Sequence, residues 1–429
     1  MVRRTLHLIL FLFLFVFAAF AGSGELKEKL AGLHGITYIE LLESEHYAEK
    51  YLVRIIQPVD HRQPEGGTFM QRVVVCHAGF DRPTVVVTEG YGGAYALNPH
   101  YAEELSQLLD ANLVFVEHRY FLESTPEPLD WSYLTAENAA CDLHHITTTL
   151  KRLYPGKWIS TGISKGEQAT MIYCAYFPED VDFAVPYVAP LNRAVEDGRQ
   201  EAFLRKVGSR AERKKVRDFQ TEILKRKEAM LPLLADFCRE KRLTFRIPPE
   251  EVLDYCVLEY AFAFWQWGTP VGAIPPLTSA DGVLFYHLVH VSNPDYFAEG
   301  QPNGSFFVQA ARELGYYGYD CKPFEKYLTI KSSKGYLEKI MLPETAGSVG
   351  FDPALYHKVY DFLKENDPKI LWIYGETDPW SATRVPRFKG KRNGHIYIQP
   401  RGSHRTRIHT MPQGMREEIV DRLQAWLAE

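Results

Sequence analysis

Gly162-Ile163-Ser164-Lys165-Gly166 lies between an apolar run, Trp158-Ile159-Ser160-Thr161, and a stretch of helical character from Gln168 to Tyr176. A Gly-x-Ser-x-Gly pentapeptide set between strand and helix constrains this chain more than any other feature. Its two glycines let a sharp turn close around a strained serine, whose hydroxyl then stands exposed beyond the end of a strand. Such a turn needs a parallel sheet whose strand ends gather on one side.

The flanking sequence supplies that sheet. Thr84–Thr88 and Asn112–Val116 are short continuous apolar runs, suited to strands buried on both faces. Residues 51–57 and 72–77 read as antiparallel strands that start the sheet. Residues 98–109 read as a crossover helix, Ala136–Leu150 as a second helix, and 181–188 as another strand. This alternation predicts an α/β fold with a doubly wound, mostly parallel sheet. Within 191–347 it stops. There, charged helical sequence (201–226) precedes an aromatic stretch containing Tyr255, Tyr260, Phe262, Phe264, Trp265 and Trp267. A Pro- and Gly-rich break over 268–276 and a second aromatic group at 314–319 follow. The block reads as a helical cap inserted after the sixth strand. It divides a core of residues 22–190 from one of 348–429, in which 369–374 and 395–398 are the last strands and 413–427 a closing amphipathic helix.

Arg3 and Arg4, the apolar stretch from Leu8 to Phe20 and the small-x-small site Ala19-Phe20-Ala21 predict a secretory signal peptide over 1–21. The stretch is also nearly long enough to be an uncleaved anchor. Cleavage would leave an exported protein, periplasmic or extracellular, without stable membrane association. The chain carries 54 acidic against 49 basic residues, a net charge of −5, and no basic stripe, so a nucleic-acid partner is not expected. The six cysteines form no C-x-x-C pair, which argues against a zinc site. Cys141 and Cys174 read as buried thiols, and Cys238 and Cys256 as the pair best placed for a disulfide.

A serine hydroxyl is a weak nucleophile unless a base takes its proton and an acid orients that base. On a sheet of this kind the order along the chain is Ser, then acid, then His, with the later two in loops after the last strands. Asp378 lies in the loop after the penultimate strand and His404 in the loop after the final one. Glu376 competes for the acid, and His395 and His409 for the base; the simpler alternative is an Asp-Pro turn and a surface histidine. An oxyanion needs two backbone N–H donors. The amide of Lys165 and that of Tyr91, in the loop Glu89-Gly90-Tyr91-Gly92-Gly93, are the candidates, although the latter also reads as an ordinary glycine-rich turn.

Four separated motifs carry a family resemblance: Thr161–Gly166, Val116–Phe121, Tyr374–Trp380 and Gly402–Ile408. With Glu259-Tyr260-Ala261-Phe262 and Phe264–Gly268 they resemble the bacterial secreted tripeptidyl and prolyl aminopeptidases, which are similar in turn to the prolyl carboxypeptidase and dipeptidyl peptidase group. The resemblance implies an α/β-hydrolase fold with a helical cap and a Ser164-Asp378-His404 triad. It also implies removal of short peptides, often ending in proline, from free N-termini. One position departs from the pattern: Glu167 stands where the family commonly carries a second glycine.

An aminopeptidase must pair a charged ammonium with a carboxylate. Glu259, Glu313 and Glu117 are candidates, although each reads equally as an ordinary ion-pair partner, Glu117 with Arg119 or a neighbour. Trp265, Trp267, Tyr316 and Tyr317 could wall a proline pocket or simply pack the cap. Peptides are the expected partners, no metal or organic cofactor is expected, and the oligomeric state stays open. Two other readings share the scaffold, an ester hydrolase or lipase and a non-catalytic binding protein. The charged cap argues against a lipase, and the intact Ser, Asp and His set against the last.

Overall fold

The computed structural model describes residues 24–429. The signal peptide expected over 1–21 lies outside them. Three strands, β1 (Ile36–Leu42), β2 (Glu49–Pro58) and β3 (Thr68–His77), form an antiparallel lead-in. Six more follow: β4 (Thr84–Thr88), β5 (Asn112–Val116), β6 (Trp158–Ile163), β7 (Phe183–Tyr187), β8 (Ile370–Gly375) and β9 (Gly394–Gln399). All nine make one sheet in the order β1-β2-β3-β5-β4-β6-β7-β8-β9. β3 pairs antiparallel with β5, and every pairing beyond it is parallel. This is the α/β-hydrolase arrangement.

Every residue of β4, β5, β7 and β8 is buried, which is why they read as unbroken apolar runs. The period of two shows in β3. Val73 and Val75 face the layer of helices α1 (Glu25–Ala31) and α3 (Ala136–Leu150). Val74 and Cys76 face the opposite layer of α2 (Glu104–Leu108) and α12 (Gln413–Ala428). Each fully buried aliphatic side chain contributes about 1.5–3 kcal/mol.

Several expectations change in detail. β1 has no apolar face to betray it, since it lies on the sheet edge with most of its side chains exposed. Counting it, the inserted helices follow the seventh strand rather than the sixth. Residues 98–109 are helical only over α2, because Asn98 is extended ahead of Pro99. The charged stretch 201–226 breaks into α5 (Arg199–Leu204) and α6 (Arg210–Lys225). Gly208 turns the chain at φ +59°, and Ser209 with Glu212 forms a capping box that restarts the helix.

The insertion continues through α7 (Lys227–Lys241), α8 (Pro249–Gln266), α9 (Asp281–Val291) and α10 (Gly304–Gln309). The helix α11 (Ala354–Glu365) then leads into β8. Cys238 on α7 and Cys256 on α8 are free thiols, so the expected disulfide is not formed. Burial holds the Cys256 thiol far above its usual pKa, and only a thiolate starts disulfide exchange. Cys174 is buried as expected and Cys141 half-buried. Among the described residues no helix is long and apolar enough to cross a membrane.

One hydrophobic cluster runs from the insertion into the core through α4 (Lys165–Tyr176), α11 and the loop after β8. Its joint is aromatic. Phe262 of α8 stacks on Tyr317 with ring centroids 3.7 Å apart, and Trp380 packs edge-on to both.

Candidate active site

Ser164 caps the N-terminus of α4 at φ +61°, ψ −118°, a conformation that strains any residue with a Cβ. Two bonds hold it there. Its N–H donates to the Tyr187 carbonyl of β7 at 3.0 Å, and its carbonyl accepts the Gln168 N–H at 3.1 Å. The turn closes only because its neighbours lack side chains. A Cβ on Gly162 would lie 2.3 Å from the Gly166 carbonyl oxygen, and one on Gly90 would lie 2.6 Å from the Gly166 nitrogen. The glycine-rich loop after β4 therefore rests directly on the serine turn.

The Lys165 side chain runs inward beneath that loop. Its amine donates to the Gly90 carbonyl and stands 5.7 Å and 5.2 Å from the ring centres of Tyr91 and Phe121. Burial holds the amine well below its usual pKa. Because C=O and N–H point opposite ways across a trans peptide, fixing the Gly90 carbonyl inward turns the Tyr91 N–H outward. Beside it in the loop, burial pushes the carboxyl of Glu89 up to about 7. Glu89 accepts from the Tyr95 hydroxyl at 2.6 Å. The Tyr91 ring lines the same cavity as Ser164.

Asp378 is fully buried in the loop after β8. One carboxylate oxygen accepts the Trp380 N–H at 3.1 Å; the other accepts His404 Nδ1–H at 2.7 Å. This leaves Nε2 as the free nitrogen of the imidazole. The His404 N–H donates to the Gln266 carbonyl at the end of α8 at 2.8 Å, and Thr377 ties the two loops by donating to the Gly402 carbonyl. The competitors are engaged elsewhere. Glu376 accepts the Arg401 N–H at 2.7 Å, His395 contacts Arg422 at 2.9 Å, and the exposed His409 contacts Glu104 at 2.6 Å.

Ser164 and His404 line one cavity of about 700 Å³, together with Tyr91, Lys165, Glu259 and Trp267. Among the described residues no hydrogen bond joins the Ser164 hydroxyl to His404, whose imidazole bonds Asp378. Glu259, on α8, accepts from the Tyr317 and Tyr319 hydroxyls at 2.9 Å and 2.8 Å, and burial pushes its carboxyl up to about 8. Trp267 stands edge-on to His404 with ring centroids 5.7 Å apart. Tyr316 and Tyr317 also reach the cavity.

The other three sequence candidates do not line it. Glu117 accepts from Arg72 at 2.9 Å, from the Ser124 hydroxyl at 2.8 Å and from the Gly93 N–H at 2.8 Å, so it braces the glycine-rich loop from behind. Arg119, its expected partner, pairs with Asp142 instead. Glu313 accepts the Ala136 N–H at 2.7 Å at the start of α3. Trp265 is buried inside the insertion against Gly208. Four charged residues to which the sequence reading assigned no role also reach the cavity: Glu89, Asp295, Arg405 and Arg407. Arg405 and Arg407 sit one and three positions beyond His404, which is the signal that could have found them.

Glu167 is fully buried, and neither of its carboxylate oxygens has a hydrogen-bond partner among the described residues. Burial, reinforced by the charge of Asp378, holds its carboxyl well above the usual range. A helix N-terminus favours an anion by about 0.3–1 kcal/mol, whereas burying an unpaired carboxylate costs several. The second effect wins and favours the protonated form of Glu167.

Residues 21–428 match a family model described as PS-10 peptidase S37. A prolyl tri/tetrapeptidyl aminopeptidase of Streptomyces mobaraensis is 28% identical over 419 residues, which span 95% of this chain and 86% of that protein. Among solved structures, a proline iminopeptidase of Mycobacterium smegmatis aligns over 87% of this chain and 99% of its own at 13% identity, with a TM-score of 0.40. VinJ aligns over 91% and 99% at 12% identity, with a TM-score of 0.39.

Proposed function

The chain belongs to the PS-10 peptidase S37 family and is a serine peptidase, and from that premise we propose that it releases short peptides of three or four residues from free N-termini, with proline at or near the cleaved bond. The observation that carries this reading is Glu259, a buried carboxylate opening on the cavity that Ser164 and His404 also line. A carboxylate so placed is a natural counter-charge for a substrate ammonium, whose desolvation demands pairing. The Tyr316 and Tyr317 rings offer flat apolar walls for proline.

In this mechanism His404 Nε2 takes the Ser164 proton as the hydroxyl attacks the scissile carbonyl, and Asp378 stabilises the imidazolium through Nδ1–H. The amides of Lys165 and Tyr91 hold the oxyanion. His404 then protonates the departing amine. A water, activated by the same base, releases the acyl peptide. Export by the leader over 1–21 completes the reading.

Product analysis by mass spectrometry tests it. Peptides with proline at the third position should yield an N-terminal tripeptide when the N-terminus is free and none when it is acetylated. Equal cleavage of both would defeat the aminopeptidase assignment, and turnover of esters alone would favour an esterase.

A further inference from the structure

The wall of the cavity beside His404 carries guanidinium groups, and the cap wall carries carboxyl groups. Glu259 and Asp295 line the cap side, and Arg405 and Arg407 line the His404 loop. Neither arginine forms an ion pair among the described residues. Arg407 uses one guanidinium nitrogen on the His404 and Thr406 carbonyls, at 3.2 Å and 2.7 Å, and stands 5.6 Å from the centre of the Tyr187 ring. Arg405 makes no side-chain hydrogen bond among the described residues. Its guanidinium lies 5.8 Å from the centre of a Trp267 ring, and Trp267 in turn meets the edge of His404. A guanidinium stacked on an aromatic face keeps its in-plane donors free for a planar anion.

The chemistry decides which part of a substrate passes these groups. His404 must reach the leaving nitrogen to protonate it, so the segment beyond the cleaved bond departs along the His404 loop. Resting on the exopeptidase reading above, we propose that Arg405, supported by Arg407, recognises a carboxylate on the leaving segment. The preferred substrates are then short peptides, with an ammonium at the Glu259 end and a carboxylate one or two residues past the cleaved bond. The carboxylate has two possible sources, the C-terminus of the peptide or an acidic side chain at the first leaving residue.

Three pentapeptides with a free N-terminus and proline at the third position test this. One ends in a carboxylate, one in an amide, and one in an amide with aspartate at the fourth position. The carboxylate peptide should exceed the plain amide about tenfold in kcat/KM, mainly through KM. That ratio should shrink in high salt. Arg405→Ala should bring the ratio to about one, and Arg405→Lys should restore part of it. An aspartate peptide that matches the free carboxylate identifies any nearby acid as the ligand; one that matches the plain amide restricts the site to the C-terminus. Equal rates for carboxylate and amide in the unaltered enzyme would overturn this inference alone, as would a ratio unmoved by Arg405→Ala. Cleavage of none of the three would overturn the exopeptidase reading and this inference with it.

Discussion

The loops at the strand ends and the wall of the cap meet around one cavity, yet they are built in different ways. The loops hold Ser164, Asp378 and His404 by short backbone bonds, such as Ser164 N–H to the Tyr187 carbonyl and Thr377 N–H to the Gly402 carbonyl. Their geometry follows from the sheet. The cap wall holds Glu259 by two tyrosine hydroxyls about 60 residues away in the chain, and Tyr317 there stacks on both Phe262 and Tyr316. The loops suit a fixed reaction; the wall suits a choice of substrate. If that division is right, changes in the loops should abolish turnover of every substrate, whereas changes in the wall should alter which substrate is turned over.

Ser164→Ala should produce the largest effect, a loss of about 10⁶ in kcat with an unchanged melting temperature. Residual activity near that of the unaltered enzyme would remove Ser164 from the mechanism. Asp378→Asn should cost about 10⁴ in kcat, because an amide in place of the carboxylate permits the wrong His404 tautomer. Loss that reflects unfolding instead would show in the circular dichroism of the variant. Trp380→Ala probes the joint between the regions. It should destabilise the protein by about 3–5 kcal/mol in a denaturant titration, since the ring fills the space between Phe262, Tyr316 and Tyr317.

Glu259→Gln should lower kcat/KM about a hundredfold for free N-termini. It should leave the slow cleavage of blocked peptides unchanged; an equal loss on both would make Glu259 structural. Its pH dependence is also determined. The Glu259 carboxyl, held at about 8 against an ordinary 4.5, is protonated in the free enzyme at neutral pH. Pairing with an ammonium requires it ionised. KM should therefore fall as pH rises towards 8, then climb as the substrate amine, with a pKa of about 7.7–8.0, loses its proton. The falling limb should vanish in Glu259→Gln. Stability runs the other way. Between 4.5 and about 8 the unfolded chain releases a proton that the folded protein keeps, so this group's contribution declines as pH rises through that window.

Glu167→Gln should change least. A neutral acid replaced by a neutral amide of similar shape should shift stability by less than about 1 kcal/mol, since both groups remain buried without partners. A loss of several kcal/mol would show that the carboxyl is ionised and paired.

Much of this was legible in the chain itself. The pentapeptide, the apolar runs of β4 and β5 and the loops after β8 and β9 are local patterns, read from consecutive residues. β1 escaped because an exposed edge strand lacks an apolar period. The break in 201–226 escaped because helix-forming residues continue on both sides of Gly208 and Ser209. Among the acidic candidates, Glu117, Glu259 and Glu313 are alike as letters. Their partners, Arg72, Tyr317 and the Ala136 N–H, lie 45, 58 and 177 positions away, and no local pattern reports on such distances.

By itself, then, the sequence determined the order in which Ser164, Asp378 and His404 occur and the sheet whose end loops carry them, because strands and tight turns are written in neighbouring residues. Tertiary structure alone decided which carboxylates face the cavity, that Glu167 is buried with no hydrogen-bond partner among the described residues, and that Arg405 and Arg407, which form no ion pair among them, lie beside the histidine. Each of these depends on burial and on partners brought together from distant parts of the chain, and burial is a property of the packed molecule.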